Sequence, residues 1–107
     1  MNTINLNLKN GKVIELMYCD FPSVYKWDKA KELCSLLGDG WRLPCPSEIE
    51  EIFANKEVCN FGNWGTWAYW TNEEKDNGTA IILCGPDGQV LEEKKIEEFI
   101  VRAVRSM

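Results

Sequence analysis

Histidine is absent from the 107-residue sequence. That removes the commonest general base, the commonest metal ligand and every Ser-His or Cys-His dyad. Cysteine is present in an odd number: Cys19, Cys34, Cys45, Cys59 and Cys84, with no C-x-x-C pair. A fully disulfide-bonded framework is excluded, and the spacing of zinc ligands is missing. The expectation is reduced, mostly buried thiols. Clustered Lys and Arg are also missing, and the net charge is -5. Binding to a phosphate backbone rests on such clusters, so no nucleic-acid partner is expected. An acidic surface gains nothing from anionic lipid. No apolar run approaches the roughly 20 residues of a membrane helix, so no membrane insertion is expected. Met1-Asn2-Thr3-Ile4 lacks the basic start and apolar stretch of a signal peptide. The reading is cytoplasmic. The alternative is a secreted or cell-surface protein whose leader has been removed.

What is present is an ordinary globular composition, 45% hydrophobic and 27% charged. This length supports one domain, residues 1–107, with a single core. There are no repeats, low-complexity tracts or linkers.

Residues 3–18 form a predicted β-hairpin around Asn10-Gly11. A two-residue turn would mix apolar and polar side chains on each face. A three-residue loop, Lys9-Asn10-Gly11, pairs Leu6 with Ile14 and Ile4 with Leu16. That register gives one apolar face, with Gly11 left-handed in a bulge. Asp20-Phe21-Pro22 breaks the strand, and Ser23 is the expected cap of a helix over about 24–37. Trp27, Ala30, Leu33, Cys34 and Leu37 share its apolar face, and Gly38 and Gly40 end it.

Gly40-Trp41-Arg42-Leu43-Pro44 alternates like a short half-buried strand, which Pro44 stops. A second helix is predicted over about 46–55, with Ile49, Ile52 and Phe53 as its stripe. Two capping-box registers are open at its start, Cys45 with Glu48 or Ser47 with Glu50. Residues 56–66 have no period and read as a long loop, where function tends to sit. Strands are then predicted at 67–71, 80–84, near 89–92 and at 99–105, with turns at Asp76-Asn77-Gly78 and Pro86-Asp87-Gly88. Two helices grouped inside a β chain indicate α+β.

These residues carry a family likeness. Trp27-x-x-Ala30-x-x-x-Cys34, Gly40-Trp41-Arg42-Leu43-Pro44-x-x-x-Glu48, Tyr69-Trp70-Thr71 and Val101-Arg102-Ala103-Val104-Arg105 occur in order. The pattern resembles the C-terminal domain of collagen-like bacterial adhesins of the Lcl type, within the C-type-lectin-like fold superfamily. The likeness spans about residues 23–106. It implies a hairpin and a C-terminal strand that pair, two helices packed on them, and an upper β-meander with long loops. Trp27, Trp41, Arg42, Glu48, Trp70 and Arg102 are its structural positions. Cys45 departs from the Thr usual there. The resemblance also implies a disulfide from the helix cysteine to the last strand, but that strand has no Cys, so Cys34 is expected to lack it. The Glu-Pro-Asn, Gln-Pro-Asp and Trp-Asn-Asp motifs of calcium-dependent lectins are missing, and Pro86-Asp87 reads as a turn. No metal or cofactor is expected, since too few oxygen ligands assemble.

The candidate ligand-binding residues are Trp64, Trp67, Asn63, Asn72 and Asp87, on the loops at 56–66, 72–78 and 85–88. Aromatic faces can stack on sugar, although large aromatics more often serve burial. Trp70 is expected in the core. At least one motif arginine should be partly buried against a carboxylate, and Glu48 is the chosen partner. The other role for such an arginine is to bind an anionic ligand. Cys45, at a helix start near Arg42, is the candidate reactive thiol. The expectation is a non-enzymatic, calcium-independent module for a glycan or protein ligand. The alternative is a structural domain of a larger surface or phage-associated assembly. The third is a thiol enzyme distantly like the formylglycine-generating enzyme.

Overall fold

The computed structural model describes residues 2–59 and 68–107. The hairpin comprises β1 (Thr3–Asn7) and β2 (Val13–Met17), with Ile4 opposite Leu16 and Leu6 opposite Ile14. This is the expected register. Gly11 takes φ +86° in the loop, as the bulge requires. Leu6, Ile14 and Leu16 are buried on one face.

The first helix begins later than the sequence suggests. Val24–Tyr25 is a short strand, β3, and α1 runs Trp27–Leu36 with Lys26 rather than Ser23 at its cap. The β-branched and aromatic pair finds a strand partner about 75 residues on. Local periodicity cannot register so distant a partner. Gly38, at φ +74°, follows the helix as expected. The second helix, α2, runs Pro46–Ala54, and Cys45 is its cap with Glu48 at the third position. Gly40–Pro44 is not a strand. Arg42 alone makes an isolated bridge to Val104, with N···O distances of 2.8 Å both ways.

The remaining strands are β4 (Ala68–Glu74), β5 (Thr79–Cys84), β6 (Val90–Lys94), β7 (Phe99–Ile100) and β8 (Val104–Ser106). They form a three-stranded sheet, β1-β2-β8, and a five-stranded sheet, β3-β7-β4-β5-β6. The expected meander holds for β4-β5-β6, but β7 joins β4 in parallel. Residues 95–98 carry the chain across the sheet instead of back beside β6. The expected strand at 99–105 is two strands. Residues 101–103 pass between the sheets, and Val101 and Ala103 carbonyls accept from Phe21 and Met17 N–H groups. The N- and C-terminal parts pair through β2 and β8.

Both faces of the larger sheet are buried. Tyr69, Leu83 and Ile100 pack with Ile49 and Ile52 of α2 and with the hairpin. Trp70, Ala80 and Ile82 pack with Trp27, Ala30 and Cys34 of α1 and with Trp41 and Leu43. Trp70 is therefore core, as expected. Its indole N–H donates to Tyr25 O at 2.7 Å, and the Trp27 indole donates to Thr71 O at 2.9 Å. Each large ring thus buries its apolar area and satisfies its one donor. No helix among the described residues is long and apolar enough to cross a membrane.

Candidate functional site

The motif charges turn inward. Arg42 forms a two-pronged pair with Glu48, Nη1 to Oε1 at 2.7 Å and Nη2 to Oε2 at 2.9 Å. Glu48 Oε1 also accepts the Cys45 N–H at 2.9 Å, which closes the cap of α2. Arg42 further reaches Leu43 O and Ser106 Oγ. Burial would push the Glu48 carboxyl up, but the Arg42 and Cys45 hydrogen bonds outweigh it and hold it below its ordinary value. The expected pairing of a half-buried arginine with Glu48 is realised by Arg42. Its guanidinium is committed to the scaffold rather than presented to an anion.

The two terminal arginines use other carboxylates. Arg102, only 2% exposed, donates from Nε to Asp20 Oδ1 at 2.7 Å. Its Nη1 donates to the carbonyls of Met17, Tyr18 and Cys59. Tyr69 Oη donates to the other Asp20 oxygen at 2.9 Å. Arg105 pairs with Glu15 across β8 and β2 at 2.7 Å, and its guanidinium lies 5.1 Å from the Trp41 ring centre. Asp20 read in the sequence only as a strand breaker, and nothing in its neighbours marks it as the ligand of a residue so far along the chain.

The candidate ligand residues divide. Asn63, Trp64 and Trp67 lie outside the described residues. Asn72 is exposed on β4, and its N–H donates to Pro44 O at 2.9 Å. Asp87 is exposed in the turn after β5, where Oδ1 accepts the Gln89 N–H at 3.1 Å. The turns at 75–78 and 85–89 lie at opposite ends of β5, six residues or roughly 17 Å apart. Asn72 and Asp87 are thus not brought together. The 85–89 turn has other neighbours. Cys84 pairs with Ala68, the first residue after the 60–67 segment. Gly88 sits against the Phe53 ring near the end of α2. Partial burial and the Asp87 carboxylate push the Cys84 thiol up.

All five cysteines are free. Cys34 and Cys59 are buried, Cys45 and Cys84 half-buried and Cys19 exposed, so fewer are buried than the sequence suggests. Burial alone pushes the Cys34 thiol up to about 12. Cys45 Sγ lies 3.3 Å from Ser47 Oγ. Both line a cleft of about 790 Å³ between the hairpin tip and the start of α2, which sequence reasoning missed. Two of its carboxylates are already engaged, and Lys12 also lines it. Glu48 holds Arg42, and Glu51 accepts the Lys9 N–H at 2.8 Å. Among the described residues, no three of His, Cys, Asp or Glu come together as metal ligands.

No protein-family profile matches the chain, and no curated protein matches it in sequence. Solved structures do. Botrocetin, a snake C-type-lectin-like protein, superposes with a TM-score of 0.65 at 12% identity, over 88% of this chain and 91% of that one. A complex of botrocetin with a mutant von Willebrand factor A1 domain contains a match with a TM-score of 0.62 at 10% identity, over 96% of each chain. The chain has the C-type-lectin-like fold, of the α+β class.

Proposed function

We propose that this chain is a non-enzymatic recognition module that holds a protein partner, without calcium, at the sheet end carrying the 85–89 turn. The fold-level likeness to botrocetin, whose solved complex has a protein domain as partner, is the observation that supports this most. The fold alone does not dictate the partner. The local geometry supports the choice of surface. Arg42, Glu48, Arg102 and Arg105 are committed to bracing, whereas Asp87 faces solvent beside the strand into which residues 60–67 run. The sequence resemblance to Lcl-type adhesin domains points the same way, toward a surface recognition role.

A photo-crosslinking side chain at position 87 tests this, with one at position 29 on the outer face of α1 as control. The expected result is a protein adduct specific to position 87, unchanged by a calcium chelator and competed by excess unlabelled chain. Equal adducts from both positions would overturn the assignment. A glycan array with and without calcium covers the sugar reading. Saturable glycan binding abolished by Trp64→Ala would replace the protein partner with a glycan.

A further inference from the structure

The outer edge of β6 carries an arrangement that neither the fold nor the recognition reading uses. β6 ends the five-stranded sheet, and no described strand pairs with its outer side. Lys95 N–H donates to Gly78 O, and Cys84 N–H donates to Gln89 O. In an antiparallel ladder these bonds alternate, so the odd-numbered residues of β6 bond to β5. Val90, Glu92 and Lys94 therefore turn their N–H and C=O groups outward. The Lys94 carbonyl also accepts from Glu97 N–H and keeps a second lone pair. The edge is apolar at its start, with Val90 36% and Leu91 40% exposed, and Ile96, 69% exposed, lies in the turn that follows it. It contains no proline and no described bulge.

Charges on an edge strand ordinarily prevent pairing. Here their order makes them self-complementary. We propose that β6 pairs antiparallel with β6 of a second copy of this chain, on a two-fold axis through Glu93. In that register, Glu92 lies opposite Lys94 of the other copy, twice over, on one face. Outward-facing residues must meet outward-facing residues, so the next registers move the axis to Glu92 or Lys94. The first sets Glu92 against Glu92, and the second sets Lys94 against Lys94 and could offset this only through Glu93 with Lys95, which is already held by Glu74 and the Trp27 ring. The chosen register has one unfavourable contact, Glu93 against its own mate on the opposite face. It weakens the association and marks the register.

Sedimentation velocity across a concentration series, on the chain and four variants, tests the proposal. Glu92 and Lys94 are exposed, so their substitution leaves the monomer folded, which circular dichroism checks. The chain should form a concentration-dependent dimer. E92K and K94E each turn two attractive pairs into two repulsive ones and should weaken it roughly tenfold or more. The E92K/K94E double variant restores both pairs and should recover the original constant to within about threefold. Glu93→Thr should tighten the dimer. A chain that stays monomeric at millimolar concentration overturns the proposal. So does a dimer indifferent to E92K and K94E, a double variant that fails to recover, or a Glu93→Thr dimer weaker than the parent.

Discussion

Arg102 Nε lies 2.7 Å from Asp20 Oδ1, across 82 residues of chain, in a site where the arginine is almost wholly buried. The same guanidinium holds the carbonyls of Met17, Tyr18 and Cys59. One cation thus ties the end of the hairpin, the segment after α2 and the crossing between the sheets. Removing its carboxylate leaves a buried positive charge uncompensated, which costs about 3–5 kcal/mol. Asp20→Asn should therefore lower the melting temperature by more than 10 °C, at about 4–8 °C per kcal/mol. A melting curve within 2 °C of the parent would show that the pair is not a brace. Arg102→Met leaves the Asp20 carboxylate without its cation and three carbonyls without their donor, and should cost at least as much as Asp20→Asn does.

The Arg42–Glu48 pair is more exposed, with about a third of the arginine side chain in water, and solvent screens it. Glu48→Gln should cost about 1–2 kcal/mol, because it breaks one charge-assisted contact and weakens the cap of α2. The pH dependence has a definite sign. Glu48 binds its proton less tightly folded than unfolded, so its contribution is complete above the ordinary value of 4.5. It is lost as pH falls through the lower folded value. Urea midpoints measured between pH 7 and pH 3 should drop more steeply for the parent than for Glu48→Gln.

These two pairs show what was legible in the sequence. Capping-box spacing leaves Glu48 and Glu50 open, and the need of a buried motif arginine for a carboxylate points to Glu48; the structure has that one carboxylate both cap α2 and reach Arg42. Asp20 was missed because its partner is non-local and no period announces it. The hairpin register followed from keeping Leu6 and Ile14 on one face. The Val24–Tyr25 strand did not, since its partner is Phe99–Ile100. The separation of Asn72 from Asp87 follows from the expected meander, because successive turns of antiparallel strands fall at opposite ends of the strand between them. The cleft beside Cys45 arises only when the hairpin tip meets α2.

Thiol accessibility gives an ordered expectation. Cys19 should react first with a disulfide reagent, Cys45 and Cys84 more slowly, and Cys34 and Cys59 only as the chain opens. Peptide mapping of a labelling time course would read this order. Because the folded state favours the neutral Cys34 thiol, its contribution is complete below the ordinary value of 9.0. It fades as pH rises toward about 12. The thiol-enzyme reading requires Cys45 to react faster than a free small-molecule thiol, and a slower rate removes it.

Two glycines separate backbone strain from crowding. Gly11, at φ +86°, has nothing within 4 Å of where a Cβ would stand, so Gly11→Ala should cost only the left-handed conformation, about 1 kcal/mol. Gly88, at φ +72°, would place a Cβ 2.8 Å from Phe53 Cε2. Gly88→Ala pays the same conformational cost and also presses the 85–89 turn off α2, adding roughly 1–3 kcal/mol. Phe53→Leu shortens the ring that is struck and should recover part of that second cost but none of the first. A double-mutant cycle by urea unfolding should then give a favourable coupling between positions 53 and 88. The same cycle between positions 53 and 11 should give none. Additive losses at 53 and 88 would mean that the turn does not rest on the helix.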